Sequence, residues 1–380
     1  MSTPSEFEVL VKASMRGAAQ VFRGRYGLRL SRLPAWTYQQ HAHAPIVAKM
    51  VERLSGTHLN LLTSASELTV TYRSIRDANL ADGYLAGPST IAVTTSGFEE
   101  SISHDNGDLR VYEGEFVTEV RQGVDSVARF ELPKTDKERL VQVWLPQNCE
   151  LELIDITADA PLKPQNRDEH PRWVHYGSSI SHCEDADGPL GVWPVAAARE
   201  LGLEIYNLGM GGCANLEQFS ARTIRDLPAD LISLKLGINV VNGANHTSRT
   251  FGPAVHGFID TIREAKPEMP ILVISPVCCP AHENNPGPSE TSPEGTVMGQ
   301  PFSRHAWIGE LTLRGIRAIL SDLVEVRAKT DPNIYYLDGL KLFGHEDAPT
   351  MPDGIHPDAA GYRVIAKNFV AHHPREWSRL

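Results

Sequence analysis

The sequence predicts an α/β fold in two parts: an antiparallel β-sandwich or jelly roll over residues 1–165, then a parallel sheet covered by helices over residues 166–380. Two observations carry this expectation. Up to about residue 165, apolar residues recur with period two in short runs cut by turn residues. From about residue 170, short apolar runs alternate with segments of helical period, the pattern of strand–helix units in a parallel sheet. A chain of 380 residues also exceeds one ordinary domain, so two domains, 1–165 and 166–380, are expected.

In the first half, Ser66–Ile75 alternates and is rich in β-branched and aromatic residues. His58–Leu62, Leu109–Tyr112, Val127–Leu132 and Leu140–Leu145 do the same. Turn chemistry separates these runs at Asp105-Asn106-Gly107-Asp108, Glu113-Gly114 and Pro146-Gln147-Asn148. Pro45–Leu54 reads as a short helix, and the polar, proline-bearing Ala160–Arg167 reads as a linker.

In the second half the expected strands are Trp173–Tyr176, Glu204–Leu208, Leu231–Leu236, Ile271–Ser275 and Ile334–Leu337. Trp193–Leu201 reads as a helix with Gly202 past its end. Phe251, Val255, Phe258, Ile259 and Ile262 form one helical face, Ile316, Ile319, Leu320 and Leu323 a second, and Tyr362, Ile365 and Phe369 a third. Ligands of such a sheet bind beyond the carboxyl ends of its strands.

Charge and cysteine content narrow the function. With 41% hydrophobic residues, 22% charged residues and a net charge of -11, the chain can build a core and is a poor partner for nucleic acid or an anionic membrane. Met1–Gln20 lacks the apolar run of a signal peptide, and no stretch approaches the roughly 20 apolar residues of a membrane span. Five cysteines, an odd number, suit a reducing compartment better than a disulfide framework, so a cytoplasmic protein is expected.

Four features fall at predicted strand ends or in late loops: Gly177-Ser178-Ser179, Asn207-Leu208-Gly209-Met210-Gly211-Gly212, Gly237-Ile238-Asn239, and Asp353-Gly354-Ile355-His356-Pro357. Acyl transfer calls for these residue types. A serine hydroxyl is a poor nucleophile until a histidine takes its proton, and a carboxylate holds that imidazole in the right tautomer. The oxyanion of the tetrahedral intermediate needs donors, which a glycine N–H and an asparagine amide supply. In this order, the four blocks resemble the SGNH (GDSL) hydrolase superfamily over roughly residues 170–372. The resemblance implies Ser179 as nucleophile, His356 as base and Asp353 as its orienting acid, with Ser179, Gly212 and Asn239 forming the oxyanion hole. It also implies a flavodoxin-like three-layer domain of strand order 2-1-3-4-5, using neither cofactor nor metal. Arg53-Leu54-Ser55-Gly56-Thr57-His58-Leu59 resembles the jelly-roll domain that precedes some of these enzymes, carbohydrate acetylesterases and a polyketide-tailoring acyltransferase among them. The chain departs from the family at Ser178, where an aspartate is usual.

The expected activity is hydrolysis of a small-molecule ester, of a sugar or an acylated natural product. Acyl transfer to an alcohol is the alternative, and a non-catalytic carbohydrate-binding protein is a third reading. Competing assignments are few. Gly209-x-Gly211-x-x-Ala214 with Asp230 downstream formally fits a dinucleotide fingerprint, but the hydrolase blocks already account for those glycines. His41-Ala42-His43 and Cys278-Cys279 lack the usual zinc spacing, and Cys149, Cys183 and Cys213 read as small buried hydrophobes, although Cys183 and Cys213 lie close enough to the blocks to sense thiol reagents. Ser179 does not sit in the Gly-x-Ser-x-Gly elbow of an α/β-hydrolase. The long Cys278–His305 loop has neither helical nor strand period and reads as a lid over the site or a surface insertion, with Trp193, Phe302, His305 and Trp307 as candidate pocket walls.

Overall fold

The computed structural model describes residues 4–79, 83–114, 116–165, 170–304 and 306–379. The chain forms two compact units, Met1–Glu169 with Asp187–Val192, and His170–Ala186 with Trp193–Leu380.

Alternation sets the architecture of the first unit. His58–Thr63, Glu67–Asn79, Asp108–Glu113, Ser126–Glu131 and Arg139–Trp144 are strands, and Pro45–Glu52 is a helix. Among the described residues the strands build a six-stranded and an eight-stranded sheet. Leu59, Leu61, Ile91, Val93, Val141 and Val143 of one sheet share a buried core with Leu68, Val70, Tyr72, Phe130, Leu151 and Leu153 of the other. Pairing is mostly antiparallel; Ile75–Asn79 runs parallel to Asp108–Tyr112. Strand Glu150–Ala158 buries its polar face as well as its apolar one. Glu150 pairs with Arg29 and Arg110, and Glu152 accepts the backbone N–H groups of Arg25, Tyr26 and Gly27. Of the expected linker, Lys163–Pro164 pairs with Leu61–Leu62 at a sheet edge, and Asn166 and Arg167 lie outside the described residues.

The second unit is built on a five-stranded parallel sheet: β1 (Arg172–Gly177), β2 (Glu204–Gly209), β3 (Leu231–Lys235), β4 (Ile271–Ile274) and β5 (Ile334–Leu337), in the order 2-1-3-4-5. Its helices are α1 (Ser179–His182), α2 (Trp193–Leu201), α3 (Gln218–Asp226), α4 (Ile238–Asn242), α5 (Ser248–Arg263), α6 (Leu313–Arg327) and α7 (Ala359–His372). All residues of β3 and β4 are buried, as strands covered on both faces must be. The apolar faces read from the sequence do the covering: Phe251, Val255, Phe258, Ile259 and Ile262 on α5, Ile316, Leu320 and Leu323 on α6, and Tyr362, Ile365 and Phe369 on α7. Trp173 of β1 stacks on Phe369 with ring centroids 4.9 Å apart, and its Nε1 donates to Ser233 Oγ at 2.8 Å. Among the described residues no helix is long and apolar enough to cross a membrane.

The turn from β3 into α4 depends on one glycine. Gly237 has φ 122°, and a Cβ there would meet Pro276 Cγ at 2.7 Å and Ile316 Cγ2 at 2.8 Å. Gly237→Ala is therefore expected to lower the unfolding free energy by about 1–3 kcal/mol. Urea denaturation checks this: the midpoint should fall with the slope unchanged, and a wild-type midpoint would remove Gly237 as a constraint.

Candidate active site

β1 ends at Gly177, where a Cβ would lie 2.3 Å from Ser181 Oγ, so the turn into α1 has room only for glycine. Ser178 is extended (φ -85°, ψ -161°), and its hydroxyl accepts the Ile180 N–H at 3.3 Å. Its carbonyl accepts the N–H groups of Ser181 and His182, both at 3.0 Å. A serine thus caps this first turn, a task that an aspartate at the same position could also perform. Ser179 follows as the first helical residue, half-buried, with its Oγ 2.8 Å from His356 Nε2.

The expected base, His356, and its expected acid, Asp353, come from one turn ahead of α7. His356 Nδ1 lies 2.6 Å from Asp353 Oδ2, while Asp353 Oδ1 accepts the N–H groups of Ile355 at 2.9 Å and His356 at 2.7 Å. Burial works to raise the Asp353 carboxyl, but the hydrogen bond and charge of His356, with those two N–H groups, hold it down at about 2. Burial likewise works to lower His356; the Asp353 hydrogen bond and charge, helped by Asp185 and Glu184, override it and leave the imidazole above its ordinary value. With Nδ1–H donating to the carboxylate, Nε2 is the lone pair that accepts the Ser179 hydroxyl.

The remaining two predicted residues are Gly212, in the loop after β2, and Asn239, in α4. The chain leaving β2 is pinned at both ends: Met210 N–H donates to the Gly177 carbonyl at 2.7 Å, and Ala214 N–H donates to Asn239 Oδ1 at 3.0 Å. Gly212 lies between these pins with φ 69°. Asn239, in α4, is buried, and with its Oδ1 occupied by Ala214 the amide N–H₂ is the end left to donate. Among the described residues no hydrogen bond joins Gly212 or Asn239 to Ser179 itself. Glu217 and Tyr176, which the sequence reading passed over, stiffen this loop. Glu217 accepts the Tyr176 hydroxyl at 2.7 Å and the Asn215 N–H at 2.9 Å, and Tyr176 Oη accepts the Leu216 N–H at 3.1 Å.

Other candidates resolve differently. His175 lies four residues before Ser179, yet its ring is fully buried between Ser233 Oγ at 2.7 Å and Ser181 Oγ at 2.8 Å. Burial, with Lys235 nearby, pushes it down to about 3, so it is a neutral structural histidine. Asp230 accepts hydrogen bonds from the backbone N–H and guanidinium of Arg172. Trp193 is fully buried and donates to the Ile180 carbonyl at 2.8 Å, so it packs under α1 and does not line a pocket. Phe302 and Trp307 are exposed, and His305 lies outside the described residues. His41 Nε2 meets Thr37 Oγ1 at 3.3 Å, and among the described residues no group of three His, Cys, Asp or Glu side chains could hold a metal. Cys149, Cys183 and Cys213 are buried. Burial raises the Cys149 and Cys183 thiols, so Cys183 is a poor target for thiol reagents.

A sequence model of the GDSL-like lipase/acylhydrolase family matches residues 175–364. No curated protein matches the chain. Among solved structures, the salicylyl-acyltransferase SsfX3 from a tetracycline biosynthetic pathway is similar at 25% identity over 93% of this chain and 92% of that one, with a TM-score of 0.75. A GDSL-like lipase from Bacteroides ovatus shares the fold at 18% identity over 93% of each chain, with a TM-score of 0.62. A family two carbohydrate esterase from Clostridium thermocellum, in complex with cellohexaose, shares it at 13% identity over 86% of this chain and 94% of that one, with a TM-score of 0.55.

The Asp353–His356 contact fixes the direction of a titration. In the wild-type chain the His356 ring should titrate above its ordinary value of about 6.5. In Asp353→Asn, which removes the hydrogen-bonded charge, the midpoint should fall. NMR of the imidazole C–H signals reads both, and an unchanged midpoint in Asp353→Asn would contradict the pairing.

Proposed function

Because this chain belongs to the GDSL-like lipase/acylhydrolase family, we propose that it is a serine esterase cleaving carboxylic esters through an acyl-enzyme on Ser179. The observation that carries this reading is the continuous hydrogen-bonded line from Ser179 Oγ through His356 to Asp353. In the proposed cycle Ser179 Oγ attacks the ester carbonyl while its proton passes to His356 Nε2. Asp353 steadies the resulting imidazolium through Nδ1–H. The tetrahedral oxyanion is met by the N–H groups of Ser179 and Gly212 and by the Asn239 amide. Collapse breaks the bond to the alcohol, which leaves with the proton from His356. Water, deprotonated by His356, then attacks the acyl-enzyme and releases the acid.

The substrate class drawn from the family is a short acyl group on a sugar or small metabolite. Residues 166–380 carry the chemistry in this reading. The five cysteines are all free and buried, which suits a reducing compartment such as the cytoplasm. One observation favours acyl transfer as the second reading: the 25% identity with a salicylyl-acyltransferase runs through nearly the whole of both chains. Transfer uses the same acyl-enzyme and differs in that an alcohol, not water, attacks it.

Ser179→Ala should abolish ester cleavage, and Asn239→Ala should reduce kcat by about 10²–10³, the effect of losing one oxyanion donor. Mass spectrometry of the protein mixed with candidate esters should find the acyl group on Ser179, and added alcohols should reveal whether transfer competes with hydrolysis. Near-normal turnover by folded Ser179→Ala would sink the assignment.

A further inference from the structure

The Cys278–Gln300 stretch, which lacks sequence periodicity, is tied to two of the site's loops. At its start, Cys278 N–H donates to the Phe343 carbonyl at 3.0 Å, and Cys279 Sγ lies 3.4 Å from the Gly354 carbonyl inside the Asp353–His356 turn. In its middle, Ser289 N–H donates to the carbonyl of Asn242 at 2.8 Å, the last residue of α4, which carries Asn239. The chain then forms a short hairpin, Glu290–Thr291 against Val297–Met298, and Val297 N–H donates to the Asp353 carbonyl at 3.0 Å. One segment therefore holds both the loop after β3 and the loop after β5.

Its interior is organised by a single ring. His282 is fully buried, with Nδ1 3.3 Å from the Asn285 carbonyl and Nε2 2.6 Å from Ser289 Oγ. Burial lowers its affinity for a proton, so Nδ1–H donates to the carbonyl and Nε2 accepts the serine hydroxyl. Gly299 lets the returning chain pass: a Cβ there would lie 2.5 Å from the Ala281 carbonyl oxygen and 3.1 Å from His282 Nδ1. Glu283 accepts the Cys279 N–H at 3.1 Å and pairs with Arg317 of α6, anchoring the base.

We propose that this segment is a brace that sets the spacing between α4 and the Asp353–His356 turn, with His282 and Ser289 as positioning residues. The inference rests on the catalytic reading above. His282 fixes Ser289, Ser289 holds α4 and leads into the hairpin, and the hairpin holds Asp353. Loosening that path should weaken the grip of Asp353 on His356 without touching substrate.

The test compares His282→Ala, Ser289→Ala and Ser289→Thr with the wild-type chain in ester-cleavage pH–rate profiles, using exposed Glu290→Ala as a control. The Ala variants should lose about tenfold in kcat, within the roughly 10²-fold that a misplacement of about 1 Å can cost. The acid limb of their profiles should also shift to lower pH as His356 loses part of the Asp353 charge; Asp185 and Glu184, the other acids acting on His356, stay in place. Ser289→Thr keeps the hydroxyl and should restore both properties, and Glu290→Ala should leave both unchanged. Should His282→Ala fail to fold, Ser289→Ala, which removes one hydroxyl from a half-buried position, carries the test. A folded Ala variant with wild-type kcat and an unshifted limb overturns the brace. Activity retained by Ser179→Ala would instead overturn the catalytic reading, so the two failures are distinguishable.

Discussion

Ser179 and His356 are 177 residues apart in sequence and 2.8 Å apart in space, and the site depends on that contact. A serine hydroxyl and an imidazole gain little from pairing in water, so the contact cannot gather the chain by itself. The parallel sheet does the gathering. Each of its strands delivers its carboxyl end to the same edge, and the site residues follow that edge: Ser179 after β1, the Gly212 loop after β2, Asn239 after β3 and the Asp353–His356 turn after β5. Backbone cross-links then fix the loops to one another. Met210 reaches back to Gly177, and Ala214 reaches Asn239, so the first three loops are joined before substrate arrives.

Beneath Ser179 the sheet carries a buried polar line. Trp173 Nε1 donates to Ser233 Oγ, His175 lies between Ser233 and Ser181, and Ser181 belongs to the same helix as Ser179. Leaving any of these groups unpaired in the core would carry the full desolvation penalty. Since each is paired, the line ties α1 to β3 in a way that an apolar core could not specify. The same logic explains why His175, though closer in sequence to Ser179 than His356 is, does no proton chemistry in this reading. Its two nitrogens are both occupied by hydroxyls, and burial keeps it neutral.

Much of this was legible in the residues. β5 and α2 fall on the ranges read from periodicity, β2, β3 and β4 differ from them by a residue at one end, and β1 extends a residue further at both ends. Signals vanished where burial is not apolar. Helix α3 buries Ser220, Ala221 and Thr223 beside Ile224, so its inner face carries few large apolar residues. Strand Glu150–Ala158 alternates, but its glutamates are as buried as its leucines because arginines and backbone N–H groups meet them. At the site, residue type and order picked out Ser179, Asp353 and His356, which the fold brings into direct contact. The ties of the 278–300 segment could not be read, because they run largely through backbone groups, which every residue has, and the Tyr176–Glu217 pair joins side chains 41 residues apart. Trp193 illustrates the opposite error: an aromatic residue near a site looks like a pocket wall until its N–H is found spent on Ile180 inside the core.

Ser178 bears on how such a site can vary. Its position needs an acceptor for the N–H of Ile180, and a hydroxyl meets that need at 3.3 Å without adding a charge beside the nucleophile. The negative charge around His356 is supplied instead by Asp353 through a direct hydrogen bond, with Asp185 and Glu184 contributing at longer range. The cap and the charge are separable tasks, so a serine can take over the first while the second stays with groups beyond the turn. What the imidazole does next is indifferent to that exchange. It abstracts a proton equally well from water or from an alcohol, and the partition between hydrolysis and transfer is set by which of the two can reach the acyl carbon. In the proposed cycle that choice belongs to the walls of the site, whereas the Ser179–His356–Asp353 line governs only the formation of the acyl-enzyme.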